Sequence, residues 1–126
     1  MSFGATWVGR GFSGDPKTLV DLMTRAMRHK GFAFLNVMSP CVTWRGDEQF
    51  KVLKAKLAFL PPEHDPGSRA DALRYTRETD VLTTGVLYEV HQPSLLERME
   101  EVRRKASEFS KVATTQDILA ELTPSL

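Results

Sequence analysis

The segment Phe32-Ala-Phe-Leu-Asn-Val-Met-Ser-Pro-Cys41 decides the fold of this chain. From Phe32 to Met38 it is apolar except for Asn36, and it is too short and not one-sided enough for a buried helix. We therefore predict a strand that is covered on both faces. Pro40 has no N–H to donate, so strand pairing should end there. Cys41 is then expected at the carboxyl end of an interior strand, where open parallel sheets bind their ligands.

The residues before this strand predict a βαβ unit. Ala5-Thr-Trp-Val-Gly9 is rich in strand-forming residues and is followed by a turn-prone segment. Asp15-Pro16 is a typical helix start, because the carboxylate accepts a free backbone N–H and proline loses no bond at the first position. Gly31 is predicted to end this helix. Two strands of one sheet joined in this way run parallel with a right-handed crossover. The apolar face of the helix is formed by Leu19, Val20, Met23, Ala26 and Met27.

The remainder of the chain alternates helices and strands. A helix is predicted from Gly46-Asp47 to Pro61-Pro62, and a shorter helix from Asp65-Pro66. A strand follows over residues 85–90, and Ser94-Leu-Leu-Glu97 matches a capping box that starts another helix. A last short helix is predicted over residues 115–122. The apolar stripe of the first of these helices is formed by Phe50, Leu53, Leu57 and Leu60.

This order of elements predicts an α/β fold with a mainly parallel sheet and helices on both of its faces. With 126 residues, the chain is long enough for one domain with a core of its own. We predict a single domain over residues 1–126, with the βαβ core at 4–43 and a helical extension at 44–126. Because an interior strand begins almost at Met1, we expect the chain to be a piece of something longer.

Composition excludes several classes of partner. The 17 basic and 16 acidic residues leave a net charge of +1, so no global field attracts nucleic acid or an anionic membrane. The apolar runs are far shorter than a membrane span. A single cysteine rules out an internal disulfide framework. The chain opens with no leader segment, so we expect a reducing cytoplasm.

Cys41 is the main candidate for chemistry. A lone cysteine is commonly a small buried hydrophobe, but its position after a strand also suits a nucleophile, a redox switch or a soft metal ligand. A nucleophile needs a neighbouring base, and nothing in the sequence connects His29, His64 or His91 to Cys41. A metal cluster needs several thiolates, and the chain supplies one. As a ligand, Cys41 would belong to a site whose other ligands lie elsewhere.

Three other segments suggest sites, and each also has a structural interpretation. His64-Asp65-Pro66 with Arg69 looks like a site, but Asp-Pro is equally a helix start. The turn from Gly11 to Gly14 could hold a phosphate at the following helix N-terminus, although it matches no established phosphate-binding motif. The charged residues from Glu97 to Lys105 predict a solvated helix face.

The order and spacing of several segments resemble the β subunit of 2-oxoacid:ferredoxin oxidoreductases. These segments are residues 4–15, residues 29–34 leading into Ser39-Pro-Cys-Val-Thr43, His64-Asp-Pro66 with Arg69, and residues 85–88. The likeness spans residues 4–105 and is most similar to the 2-oxoglutarate type. It implies a partial thiamine diphosphate-binding fold.

The resemblance implies an enzyme that oxidatively decarboxylates a 2-oxoacid, forms an acyl-coenzyme A and reduces ferredoxin. It implies thiamine diphosphate, magnesium and a 4Fe–4S cluster, with Cys41 matching the last cluster ligand in sequence. The expected partners are the remaining β segment, α and γ subunits, ferredoxin and, in a homo-oligomer, a second copy of the chain.

The chain also departs from the pattern of this family. The other cluster cysteines and the Gly-Asp-Gly-Asp motif that holds magnesium have no counterpart, and Trp44-Arg45 follows Thr43 where Phe-Asn is common. We therefore expect the chain alone to bind neither cofactor and to be inactive. The alternatives are a non-catalytic α/β interaction module and a single-cysteine redox sensor.

Overall fold

The computed structural model describes residue 1, residues 3–77, residues 80–109, residues 115–116 and residue 119. Contacts within the chain divide it into two compact units, Met1–Gln92 and Pro93–Leu126. None of the helices among these described residues is both long and apolar enough to cross a bilayer. The elements, in chain order, are β1 (Trp7–Phe12), α1 (Pro16–Arg28), β2 (Ala33–Met38), α2 (Val42–Arg45), α3 (Glu48–Lys56), β3 (Leu57–Phe59), α4 (Arg69–Arg77), β4 (Leu82–Glu89) and α5 (Leu95–Phe109).

The four strands form one mixed sheet in the order β2-β1-β4-β3. β1 pairs in parallel with β2, and β3 pairs in parallel with β4, whereas β1 and β4 are antiparallel. The predicted α/β class, the βαβ unit and the mainly parallel sheet are confirmed.

The prediction that β2 is an interior strand is wrong for this chain. Among the described residues β2 pairs only with β1, so it forms an edge of the sheet. Its inward side chains are partly buried, but Phe34 is 52% exposed and Asn36 is also exposed. The apolar sequence predicted cover on two faces, and the described residues cover only one.

Helix α1 covers one face of the sheet, but the predicted apolar face is only partly right. Leu19 and Ala26 are partly buried, whereas Val20, Met23 and Met27 are exposed, and the buried residue is Leu22, which the prediction left out. Asp15 caps it through a bond from the Thr18 N–H, and Pro16 is the first helical residue, which confirms the predicted start. Leu22 packs with Trp7 and Val86 in a buried cluster. The ring of Trp7 lies across Gly9, where a Cβ would be only 2.5 Å from the indole. Glycine at position 9 therefore allows the largest buried side chain to lie flat on its own strand.

Helix α4 packs on the other face, which confirms that helices lie on both sides of the sheet. Val8, Leu87, Ala72 and Tyr75 form a second buried cluster with Ala5. The β1–β4 pairing shifts register between Val8 and Gly9, and Leu87 is the extra residue of this bulge. Because the bulge turns two successive side chains to one side, both Leu87 and Tyr88 contact this cluster.

The long helix predicted from Gly46-Asp47 to Pro61-Pro62 is wrong in its last four residues, from Leu57 to Leu60. α3 ends at Lys56, and Leu57–Phe59 forms β3 beside β4. The Leu60 N–H then donates to the Thr84 carbonyl at 3.2 Å, so tertiary pairing overrides the helical spacing. Asp47 lies at the predicted cap position, but its side chain makes no capping bond.

Other predicted boundaries also differ from the structure: β1 ends at Phe12 and not at Gly9, and β4 begins at Leu82 and not at Gly85. The helix predicted from Asp65-Pro66 begins at Arg69, with the Ser68 hydroxyl accepting the Asp71 N–H at 3.2 Å. The Asp65 carboxylate instead accepts the Gly67 N–H at 2.8 Å and closes a turn. α1 is capped at its C-terminus by His29 in extended conformation, two residues before the predicted Gly31.

The second unit contains α5. Ser94 and Glu97 form the predicted capping box: the Ser94 N–H donates to Glu97 Oε2 at 2.7 Å, and the Glu97 N–H donates to Ser94 Oγ at 3.3 Å. The helix predicted over residues 115–122 lies largely outside the described residues, of which 115, 116 and 119 are helical.

Candidate functional site

Cys41 lies just past the carboxyl end of β2 and is exposed. It is the N-cap residue of the short helix α2, but its side chain makes no capping bond. The Ser13 N–H donates to the Met38 carbonyl at 3.0 Å, so the loop that follows β1 lies against the end of β2. Cys41 thus lies past the carboxyl ends of β1 and β2, as predicted, but at the edge of the sheet and not in its interior.

Apolar side chains accompany the thiol at this rim. Val42 and Trp44, in the helix that begins at Cys41, are 50% and 84% exposed. The Phe12 ring, at the end of β1, lies 5.5 Å from the Phe50 ring of α3. The rim therefore has two packed aromatic rings, Phe12 and Phe50, and two exposed apolar side chains. Exposed apolar surface of this kind is typical of a site that binds another molecule.

The turn from Gly11 to Gly14 does not favour a phosphate. The Asp15 carboxylate accepts the Thr18 hydroxyl at 2.6 Å and the Thr18 N–H at 3.3 Å. The side-chain bond first, and the backbone bond second, hold the pKa of Asp15 below its usual value. A negative charge therefore occupies the helix N-terminus where an anion would bind.

Within the described part of the chain, no three His, Cys, Asp or Glu side chains are grouped closely enough to hold a metal ion. The full sequence contains one cysteine, whereas a 4Fe–4S cluster is normally held by four thiolates. The chain can therefore supply at most one of the four cysteine ligands of such a cluster. No group of side chains among the described residues fits a magnesium site for thiamine diphosphate.

His29 and His91 do not lie at the Cys41 rim. His29 Nε2 is 2.8 Å from the Thr6 hydroxyl, and the His29 and His91 rings stack with centroids 6.4 Å apart. These residues lie at the amino ends of β1 and β2, about six residues of strand, or about 20 Å, from Cys41. The contact orders the turn before β2, where Gly31 has a φ of 139°. Neither ring can serve as a base for Cys41.

His64 has a structural role that its sequence did not reveal. Its side chain is 4% exposed, and Nε2 donates to the Leu87 carbonyl at 3.1 Å. Leu87 is the bulged residue of β4, so the sheet itself gives this carbonyl no partner. The ring also meets Tyr75 edge-on at 5.2 Å, and Nδ1 lies 3.6 Å from Asp71. His64 therefore ties the loop before α4 to the bulge in β4.

Comparison with known proteins identifies the family of this chain. Residues 41–104, just over half of the chain and beginning at Cys41, match the family model described as the C-terminal region of the pyruvate ferredoxin oxidoreductase beta subunit. The chain is 41% identical over 44 residues to the 2-oxoacid:ferredoxin oxidoreductase subunit beta of Saccharolobus solfataricus, which covers 35% of this chain and 14% of that one. It is 26% identical over 112 residues to subunit beta of 2-oxoacid:ferredoxin oxidoreductase 2 of Aeropyrum pernix, which covers 79% of this chain and 36% of that one.

A solved structure gives the same result for the fold. The 2-oxoglutarate:ferredoxin oxidoreductase of Magnetococcus marinus, determined with 2-oxoglutarate, coenzyme A and succinyl-CoA bound, superposes with a TM-score of 0.78 and 26% identity. The match covers 98% of this chain and 42% of that one. The chain thus spans less than half the length of each of these relatives. Through the family match and the shared fold, this chain belongs to the 2-oxoacid:ferredoxin oxidoreductase β-subunit family, in the C-terminal part of that subunit.

Proposed function

We propose that this chain supplies Cys41 as one ligand of a 4Fe–4S cluster whose other ligands come from polypeptide outside the chain. The observation that carries the proposal is the exposure of Cys41 at the carboxyl end of β2, in the Ser-Pro-Cys segment where the family match begins. A structural cysteine would instead be expected among packed apolar side chains. The lack of a capping bond also leaves the sulfur available to a metal.

The exposed apolar surface around Cys41 supports the same role. The potential of an iron–sulfur cluster depends on solvent exclusion and on hydrogen bonds to its sulfurs. Val42 and Trp44, one and three residues after Cys41 in the chain, are 50% and 84% exposed. When joined by the rest of a β subunit, these side chains would form part of a dry wall around the cluster.

In the complete assembly we propose the family's reaction: oxidative decarboxylation of a 2-oxoacid with coenzyme A, and electron delivery to ferredoxin. The β segment outside this chain, and α and γ subunits, would supply thiamine diphosphate, magnesium and the remaining ligands. The bound ligands of the Magnetococcus structure favour 2-oxoglutarate as the substrate. This chain would contribute only one thiolate ligand and the fold that holds it in position, so the isolated chain should be inactive.

Anaerobic reconstitution with iron and sulfide tests this division of the site. The chain alone should retain no stoichiometric cluster, because it offers one thiolate. The chain combined with the preceding part of a related β subunit should retain about four iron atoms per complex. A stoichiometric cluster on the isolated chain, or none on the combination, would contradict the proposal.

A second candidate is an interaction module that has kept the fold without the cluster. It is favoured because no three His, Cys, Asp or Glu side chains among the described residues are grouped closely enough to hold a metal ion. Size-exclusion chromatography of the chain alone distinguishes the two in part. A detached β segment with exposed Phe34 and Trp44 should self-associate, whereas an adapted module should elute as a monomer.

A further inference from the structure

Helix α5 carries an apolar stripe that lies open to solvent. Leu95, Met99 and Val102 are 75%, 45% and 66% exposed, and Ala106 continues their spacing on the same side. Steps of four, three and four residues keep these side chains within about 30° of one line along the helix, at about 100° per residue. We call these four residues the α5 stripe. Such spacing of anchors is typical of a helix that binds in an apolar groove.

Basic side chains border the α5 stripe on both sides. Arg98 and Arg103 lie about 70° to either side of its centre, and Lys105 lies about 90° away, at about 100° per residue. Both arginines line one open concavity together with Leu95, Met99 and Val102. Both flanks of the α5 stripe therefore carry positive charge.

The acidic side chains of α5 lie on its back. Glu97, Glu100, Glu101 and Glu108 are all about 130° or more from the centre of the stripe, at about 100° per residue. Arg104, on the same back, donates to Glu101 at 2.8 Å and also pairs with Glu108. The acidic side chains of α5 thus lie opposite the stripe, and basic side chains lie on its flanks. The solvated, charge-paired helix face that the sequence predicted is the face opposite the stripe.

This distribution of charge argues against two alternative binding partners for the α5 stripe, a second copy of the chain and an anionic membrane. Two copies of α5 packed stripe to stripe would bring Arg98 and Arg103 against the same residues of the partner copy, which is unfavourable. An anionic membrane is also disfavoured, because membrane-surface helices are rich in lysine and arginine on the polar face, whereas the face opposite the α5 stripe carries four glutamates and the helix has no net charge.

We propose that α5 docks through its stripe into an apolar groove of a partner protein whose rim carries aspartate and glutamate side chains. The apolar anchors would supply affinity, and the pairing of the rim with Arg98 and Arg103 would supply specificity and orientation, whereas Lys105 already pairs with Glu101 at 3.4 Å. This surface lies in the second compact unit, and it does not depend on the role of Cys41.

The experiment uses the full chain and two synthetic probes. Each probe is a helical peptide of three heptads with an apolar stripe, and its flanking positions are all glutamate in one peptide and all lysine in the other. Binding is measured by fluorescence anisotropy of the labelled peptide at low salt. We expect the acidic peptide to bind at least tenfold more tightly than the basic one, and its affinity to fall as salt is raised.

Two adjacent arginines provide the matched variants. Arg103→Glu reverses a charge on the flank of the stripe and should weaken binding of the acidic peptide about tenfold. Arg104→Glu makes the same change on the back and should alter binding less than twofold. Met99→Asp should abolish binding of both peptides, and circular dichroism should show unchanged helix content in each variant.

Several results would overturn the proposal. Equal binding of the two peptides, or equal effects of Arg103→Glu and Arg104→Glu, would show that the flanking charges select no acidic partner. Sedimentation that reports a dimer lost in Met99→Asp would assign the stripe to a second copy. Co-flotation with vesicles of anionic phospholipid, lost in the same variant, would assign it to a membrane.

Discussion

His64 offers the sharpest test of how the fold is held, because it separates a structural from a catalytic histidine. His64→Phe keeps a ring of similar size at 5.2 Å from Tyr75 but removes the donor to the Leu87 carbonyl. That carbonyl belongs to a residue that is 1% exposed, so it would be left buried and unpaired. Leaving a buried acceptor unsatisfied costs about 1–3 kcal/mol of unfolding free energy.

Other substitutions at His64 separate the contribution of the hydrogen bond to stability from that of the ring contact. His64→Gln retains an amide donor and should lose less stability than His64→Phe. His64→Ala should lose about 0.5–1.5 kcal/mol more than His64→Phe, because the edge-on contact with Tyr75 also disappears. His91→Phe is the matched control, since the same change at this exposed histidine should stay within about 0.5 kcal/mol of wild type.

Urea unfolding followed by far-UV circular dichroism measures these differences. The predicted order of stability is wild type, then His64→Gln, then His64→Phe, then His64→Ala. If His64→Phe were as stable as wild type, or if His91→Phe lost as much, the proposed bond from His64 to the bulge would not stabilise the fold.

Three further predictions concern the βαβ unit. Gly31→Ala should destabilise the chain by about 1–3 kcal/mol in urea, because φ is 139° and a Cβ would lie 2.5 Å from the Thr6 hydroxyl. Gly46→Ala is also strained, by a φ of 70°, but it has open space around it and should cost less because it lacks this clash. Leu22→Ala should cost about 2–5 kcal/mol by leaving a cavity beside Trp7, and Met27→Ala, at an 80% exposed position of the same helix, should cost about 0.5 kcal/mol or less; equal losses would contradict the assigned face of α1. The pKa of Asp15 is lowered in the fold by its bonds to Thr18, so these bonds stabilise the chain above a pH of about 4 and are lost as the pH falls through the folded pKa. The difference in unfolding free energy between wild type and Asp15→Asn should therefore become smaller in acid. A difference that does not change with pH would refute this.

Local chemistry made several elements predictable from the sequence. Asp15-Pro16 and Ser94 with Glu97 specify helix starts through bonds within one turn, and both occur as expected. The apolar run that ends at Pro40 specified β2, and with it the position of Cys41 past the strand. These predictions need no knowledge of distant residues, because the groups that satisfy each other lie within three or four positions.

Other features depend on residues that are distant in sequence. Leu57 continues a helical stripe, yet it pairs with Leu82 in a strand, since a ladder partner outweighs a weak local preference. The role of His64 depends on a bulge at Leu87, and no pattern around either residue predicts a bulge. The edge position of β2 was missed because an apolar strand indicates how many faces should be covered, not which segment covers them.

The most direct test of the central claim is the iron content of a complete assembly that contains this chain. The chain is combined with the preceding part of a β subunit and its partner subunits, purified under argon, and compared as wild type, Cys41→Ala and Ser39→Ala. We predict that Cys41→Ala loses the low-temperature EPR signal of the reduced 4Fe–4S cluster and most of its iron, while Ser39→Ala, an exposed neighbour, retains both. An unchanged iron content and EPR signal in Cys41→Ala would show that this thiolate is not a cluster ligand.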